Sequence, residues 1–291
     1  MSSYVITGAA RGLGWEFLNQ LSSDSKNRVI GIVRNKAATE KKVAEELSGR
    51  SNITVLEADI TNYDAVKKAV TDTAAVTGGS LDYLIANAAY LPTWDQYSPI
   101  GVLGETPEKL TYEFNKLLET NALANIHLYN LFMPLILKGK GKKVTVITSG
   151  MADQDLVNDY ELDGAALYAI SKAAMNMVTA KFNAQYKNDG VLFLGICPGM
   201  VDVGHFNNGM NNLDISLTFT EWTADSRTAT PEELAKLGQT VEKFQKYAPH
   251  FKGPDNPENS VKAVLSVIRK SSLENGDGGA YLSHFGTKQW L

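Results

Sequence analysis

The stretch Tyr4-Val5-Ile6-Thr7-Gly8-Ala9-Ala10-Arg11-Gly12-Leu13-Gly14 decides how this chain is read. A short apolar run passes directly into a turn with three glycines, and a helical pattern follows over 14–23. Glycine lets the backbone turn sharply where a Cβ would clash. The free N–H groups that open the next helix then face whatever fills the turn and favour an anion. Spaced glycines arise by chance in a chain with 24 of them; the position between a strand and a helix is what marks this trio as a phosphate cradle. The alternative is a tight strand-to-helix turn that holds no ligand.

The same alternation continues outward. Besides 4–7, strands are predicted at 28–33, 53–57, 81–86, 143–148 and 191–197, with helical patterns at 36–48, 62–76, 107–137 and 165–187. The strands are continuous apolar runs, which predicts a sheet buried on both faces. Strand–helix alternation of this kind predicts a parallel, doubly wound α/β sheet. After Cys197 the rhythm breaks, and 199–228 is rich in Asn, Gly, Asp and Thr. Thr230-Pro231-Glu232-Glu233 carries a helix-start signature, and Asn256-Pro257-Glu258 opens another helix with Val261, Val264, Leu265 and Ile268 on one face. Gly279-Ala280-Tyr281-Leu282 is the candidate last strand. No repeat, low-complexity tract or linker interrupts the chain, so 1–291 reads as a single domain with an extended loop region near its C-terminus.

Composition narrows the function. The 291 residues are 44% hydrophobic and 21% charged, ordinary globular usage, and a chain this long buries a core without staples. A net charge of −4 gives no footprint for nucleic acid or an anionic membrane. Cys197 is the only cysteine, which excludes internal disulfides and, with four histidines, argues against a metal site. No run approaches the ~20 apolar residues of a membrane helix. The opening residues have no basic start or long apolar core, so the cytoplasm is the expected location.

The second strand selects between nicotinamide dinucleotides. An acid at its end would accept hydrogen bonds from the adenosine ribose 2′-hydroxyl and repel a 2′-phosphate. Here the strand ends Val33-Arg34-Asn35, and Arg11 stands in the glycine turn. Two guanidiniums suit a phosphate dianion because each donates hydrogen bonds in a planar fork, so NADP(H) is expected over NAD(H). Solvated surface charges are the alternative for both arginines.

Tyr168-Ala169-Ile170-Ser171-Lys172 sets a phenol and an ammonium one helical turn apart. Chance supplies about one Tyr-x-x-x-Lys pair in such a chain, and helix geometry only says that its members can meet. Three occur, Tyr63/Lys67, Tyr112/Lys116 and Tyr168/Lys172. Only the last follows, at short range, a strand that ends in serine: Val144-Thr145-Val146-Ile147-Thr148-Ser149.

With these motifs the sequence resembles the short-chain dehydrogenase/reductase family along nearly its whole length. Thr7, Gly8, Gly12 and Gly14 match the cofactor turn, in which Leu13 also lies. Asp59-Ile60 matches the adenine-side aspartate and its neighbour, and Asn87-Ala88 sits in the central strand motif. Asn121, Ser149, Tyr168 and Lys172 match the catalytic tetrad, and Pro198-Gly199, with Val201, matches the turn beside the nicotinamide. Glu16-Phe17, Val33-Arg34-Asn35 and Met175-Asn176-Met177 are most similar to the sniffer and C-factor branch.

The resemblance implies a Rossmann-type fold with a cofactor half at about 1–137, a catalytic and substrate half at about 138–291 and a lid at about 200–228. It implies an NADPH-dependent carbonyl reductase acting on a small-molecule ketone or aldehyde. Tyr168 would exchange the proton, Lys172 and the positive nicotinamide of the oxidised cofactor would lower its pKa from about 10, and Lys172 would hold the nicotinamide ribose. Ser149 would bond the substrate oxygen, and Asn121 would fix a water that resupplies the proton. A homodimer or homotetramer, built through 107–137 and 165–187, is the family's tendency. An NADP-binding regulatory or sensor protein, or an isomerase or cyclase on the same fold, is the alternative function.

The chain also departs from the family pattern. Ala89 replaces a glycine in the central motif, and Val203 stands where a threonine is frequent. Ser149 and Tyr168 are 19 positions apart, about six more than the family spacing, which loop entropy tolerates. The intervening Asp153, Asp155, Asp159, Glu161 and Asp163 read either as an acidic rim for a cationic substrate or as an ordinary solvated loop. Trp94 and Tyr97, and beyond them His205, Phe206, Met210, Phe219 and Trp222, read either as a mobile lid over the pocket or as satellite core.

Overall fold

A computed structural model describes residues 2–203 and 231–291. In chain order the elements are β1 (Ser3–Thr7), α1 (Gly12–Ser22), β2 (Arg28–Val33), α2 (Lys36–Glu46), β3 (Ile53–Glu57), α3 (Tyr63–Thr77), β4 (Tyr83–Ala86), the single-turn α4 (Ile100–Leu103) and α5 (Pro107–Leu118). A π-helical turn (Glu119–Leu123) joins α5 to α6 (Ala124–Ile136). There follow β5 (Lys143–Ile147), a 3₁₀ turn (Gly150–Ala152), α7 (Gln154–Asp159), α8 (Ala166–Tyr186), β6 (Leu192–Cys197), α9 (Pro231–Tyr247), α10 (Pro257–Lys270) and β7 (Tyr281–Ser283). The seven strands form one sheet in the order β3-β2-β1-β4-β5-β6-β7, every neighbouring pair parallel. This is the doubly wound, Rossmann-like arrangement that the apolar runs predict.

Each strand feeds two cores because its side chains alternate between faces. Val5, Ile30 and Ile32 face α3, α6 and α8, where Leu128, Tyr129, Phe132, Met175 and Phe182 complete the packing. Ile6, Val29 and Val33 face α1 and α10, against Phe17, Leu18, Leu21, Val261, Val264, Leu265 and Ile268. Burying each of these large side chains contributes about 1.5–3 kcal/mol. Local chemistry starts the helices: Asn35, Asn62 and Asn256 each accept an N–H from the first turn of α2, α3 and α10.

Observed strand limits lie within two residues of the predicted ones. The pattern over 107–137 is one helical path, broken in register by the π turn. The insertion between Ser149 and Tyr168, expected to loop out, contains helix α7. The helix expected from Pro231 is present, while its capping Thr230, the lid residues 204–228 and their aromatics lie outside the described residues. Among the described residues, no helix is long and apolar enough to cross a membrane and no group of His, Cys, Asp and Glu could hold a metal.

Candidate active site

The strand order reverses between β1 and β4, and the crevice at such a switch point is where open α/β sheets bind ligands. Thr7, fully buried, closes it: its Oγ1 accepts the N–H groups of Asn87 (3.1 Å) and Ala88 (3.0 Å), while Asn87 Nδ2 donates to the Thr7 carbonyl at 3.1 Å. The glycine turn is packed so tightly that side chains are excluded. Gly8 and Gly12 have φ of 71° and 55°, and a Cβ on Gly14 would lie 2.1 Å from the Gly8 carbonyl oxygen. Ala88 is the close neighbour of Gly8, and Leu13 packs into the core from the start of α1.

This cradle fits a dinucleotide. Helix α1 opens at Arg11 without a side-chain cap, so its first N–H groups face the turn. Arg11 and Arg34 are exposed, and their guanidiniums have no hydrogen-bonded or ionic partner among the described residues. Glu57, paired with Val33 across the sheet, accepts the Lys36 N–H at 3.1 Å. After β3, Asp59 Oδ1 accepts both the N–H (3.0 Å) and the hydroxyl (2.8 Å) of Thr61, and Ile60 is buried beside it.

The second half of the crevice lies at the ends of β5 and β6. Ser149 Oγ accepts the Met151 N–H at 3.2 Å, its carbonyl accepts the Tyr281 hydroxyl, and its hydroxyl also hydrogen-bonds the Tyr168 phenol. The 19-position gap therefore does not separate the pair. Lys172 is buried, with Nζ donating to the Ile147 carbonyl at 2.8 Å and standing 5.6 Å from the centroid of the Tyr168 ring. Burial pulls its pKa down to about 8. Burial pushes the Tyr168 phenol well above its ordinary value, the Cys197 thiol and Asp95 add to that, and the Ser149 hydroxyl opposes it. In this geometry one donor of the ammonium serves the Ile147 carbonyl, and the ring of Tyr168 lies one helical turn away.

Asn121 sits in the π turn and is buried. Its Oδ1 accepts the Tyr90 N–H at 2.7 Å, and its Nδ2 donates to the Tyr90 carbonyl (2.9 Å) and Ser171 Oγ (3.0 Å). Its main-chain oxygen accepts Asn125 Nδ2 at 2.9 Å. The amide thus ties the segment after β4 to α8, with both donors engaged, rather than bonding within its own helix.

Past β6, the Pro198 carbonyl accepts the Ser260 hydroxyl at 2.8 Å, and Gly199 (φ 82°) leaves room for the His284 ring, 2.7 Å from where a Cβ would stand. Val201 bridges to Asp255, and Val203 lies against Gly12.

The sequence profile of the family described as short chain dehydrogenase matches residues 3–213. The chain belongs to the short-chain dehydrogenase family of oxidoreductases. Short chain dehydrogenase virK of Hypocrea virens is 55% identical over 291 residues and covers 100% of both chains. Short-chain dehydrogenase/reductase iacC of Pestalotiopsis fici is 46% identical over 292 residues, again across the whole of both. Among solved structures, the NADPH-bound carbonyl reductase from chicken fatty liver matches with a TM-score of 0.72 at 20% identity, covering 99% of this chain and 98% of that one. The carbonyl reductase Sniffer of D. melanogaster matches with the same score and coverage at 21% identity. Those two likenesses are of fold.

This short-chain dehydrogenase also builds its site from residues that carry no sequence signal. Cys197 Sγ accepts the Gly150 N–H at 3.0 Å, and burial pushes its thiol up to about 11. Trp290 covers Gly150, whose Cβ would stand 2.8 Å from the Trp290 Cβ, and stacks on Tyr281 at 4.3 Å. Trp94 packs with Tyr90, Leu103, Leu117, Leu167 and Tyr168, so it belongs to a satellite core that touches the site. Asp153 caps α7 and Asp163 pairs with Lys243 at 3.6 Å, while Asp155, Asp159 and Glu161 are exposed. Two of the five acids are thus in structural use, and the exposure of the other three is common to both readings of the insertion.

Proposed function

We propose that the protein is an NADPH-dependent carbonyl reductase for a small-molecule ketone or aldehyde, with Tyr168 as the general acid and base. The observation that carries this reading is the convergence of Ser149, Tyr168 and Lys172 at the ends of β5 and β6, beside a glycine turn with no room for side chains. Gly8, Gly12, Leu13 and Gly14, with the first N–H groups of α1, would hold the pyrophosphate, and Arg11 and Arg34 the 2′-phosphate. Asp59, Ile60, Asn87 and Ala88 would border the adenosine, and Pro198, Gly199 and Val201 the nicotinamide. When bound, NADPH supplies hydride to the carbonyl carbon.

The chain's own residues handle the oxygen and the proton. Ser149 Oγ donates a hydrogen bond to the substrate oxygen, where negative charge builds in the transition state. Tyr168 gives its proton to that oxygen and takes one back in the reverse reaction. Lys172 spends one of its three donors on Ile147, leaving two for ribose hydroxyls. Asn121 acts by fixing the segment after β4 against α8. The proposal extends to the two halves at about 1–137 and 138–291, a cytoplasmic location and a homodimer through α5–α6 and α8. Exposed Tyr112, Leu123, Ile170 and Met177 on those helices support the dimer, and a monomer by light scattering would remove it.

The test is NADPH consumption over aliphatic and aromatic ketones and aldehydes. Wild-type protein should turn over at least one of them, and Tyr168→Phe should lose at least ~100-fold in kcat while still binding NADPH. Arg34→Ala should lose most of the preference for NADPH over NADH. NADPH bound without turnover of any carbonyl would leave a narrow substrate or a sensor, and an absence of binding would overturn the reading.

A further inference from the structure

Helix α8 carries Tyr168 and Lys172, yet it begins without a cap of its own. Ala165 holds the cap position in the left-handed region (φ 52°, ψ 37°) and has no side-chain oxygen to offer the free N–H groups. The acceptor comes from the segment between β4 and α4. Asp95 Oδ2 accepts the Tyr168 N–H at 3.0 Å, its main-chain oxygen accepts the Ala165 N–H at 2.9 Å, and the Leu167 N–H also faces the carboxylate. Adjoining contacts make one block of the two segments: a Cβ on Gly164 would lie 2.9 Å from the Gln96 carbonyl oxygen, and Trp94 shares a cluster with Leu167 and Tyr168.

The choice of an acid here is expensive. Asp95 is fully buried, its Oδ1 has no hydrogen-bond partner among the described residues, and burial raises its pKa. A neutral asparagine or serine caps a helix comparably without a charge to desolvate.

We infer that Asp95 is a positioning residue for Tyr168: its carboxylate caps α8 from the segment after β4 and so holds the phenol against Ser149. This rests on the reading of Tyr168 as the proton donor. It also accounts for the lengthened connection between Ser149 and Tyr168, because the start of α8 is referenced to Asp95 and not to the residues in between. The groups facing the phenol are Asp95, Ser149 and Cys197, with Lys172 one turn along and Tyr281 across on β7, while Glu113 of α5 faces Asp95. The Asp95 charge opposes ionisation of the phenol, so removing it moves the titration to lower pH.

Tyr168→Phe is measured first on the carbonyl panel, and retained turnover there dismisses the proton donor whatever Asp95 does. With that settled, Asp95→Ala and Asp95→Asn are compared on a carbonyl that the wild type reduces. Asp95→Ala should lose about tenfold or more in kcat, with the NADPH Kd within about twofold of wild type. Asp95→Asn should restore most of kcat, and the alkaline fall of its reduction rate should move to lower pH. A purely structural cap would lower the melting temperature and leave that pH profile in place. Wild-type kcat in Asp95→Ala, or an unshifted profile in Asp95→Asn, would overturn the inference. Should the alanine variant not fold, the asparagine profile decides.

Discussion

Lys172 is a cation that folding has taken out of water, with one carbonyl for company and a pKa drawn down to about 8. In the unfolded chain the same ammonium titrates near its ordinary value, about 10.4. Between those two values the unfolded chain binds a proton that the folded chain has released. The lysine's contribution to stability therefore rises with pH across that window, and below it the buried charge costs on the order of 3 kcal/mol. Lys172→Met, which keeps the stem and deletes the charge, should melt several degrees above wild type near neutral pH. The gap should close as the pH approaches about 10. Calorimetry of both proteins across that range checks this, and a gap that stays constant would contradict it. Tyr168, Lys172 and Ser149 were legible as residues because each sits in a local pattern, a turn of helix or the end of a strand. Asn121 was legible as a position but not as a set of partners, since its amide bonds to Tyr90 and Ser171, which its own neighbours in sequence do not reveal.

The insertion shows what holds an irregular segment in place. Its acids face water or cap and pair, while Leu156 and Leu162 turn inward onto Cys197, Tyr160, Tyr247 and Trp290. Leu156→Ala should therefore destabilise the protein by about 2–4 kcal/mol. Asp155→Asn and Asp159→Asn should each stay within about 0.5 kcal/mol. Chemical denaturation measures all three, and a harmless Leu156→Ala would mean that the segment is not anchored. The sequence showed the strands well because a sheet covered on both faces demands unbroken apolar runs. It hid α7, because a six-residue helix that buries only Leu156 is too short to show a helical period. It hid the π turn for a different reason: Glu119-Thr120-Asn121-Ala122-Leu123 is unremarkable, and the extra residue is accommodated where a buried amide reaches the Tyr90 backbone.

At the scale of the whole molecule, the crevice joins parts that are far apart along the chain. Thr7 meets Asn87, Asp95 meets Tyr168, and Ser149 meets Tyr281. None of these pairings can be read from either partner's local sequence, so the parallel, doubly wound class could be inferred from strand–helix alternation while the far wall of the site could not. The all-parallel order has a kinetic corollary. β1 cannot pair with β4 until the chain between them has crossed the sheet, and such non-local closures come late and slowly in folding. Early in refolding, the strands and helices on either side form while the Thr7 hydroxyl still waits for two amides some eighty residues away. Pulse-labelled hydrogen exchange should accordingly find the Asn87 and Ala88 amides protected well after those of α1 and α3. Simultaneous protection would mean that the crevice nucleates folding instead of completing it.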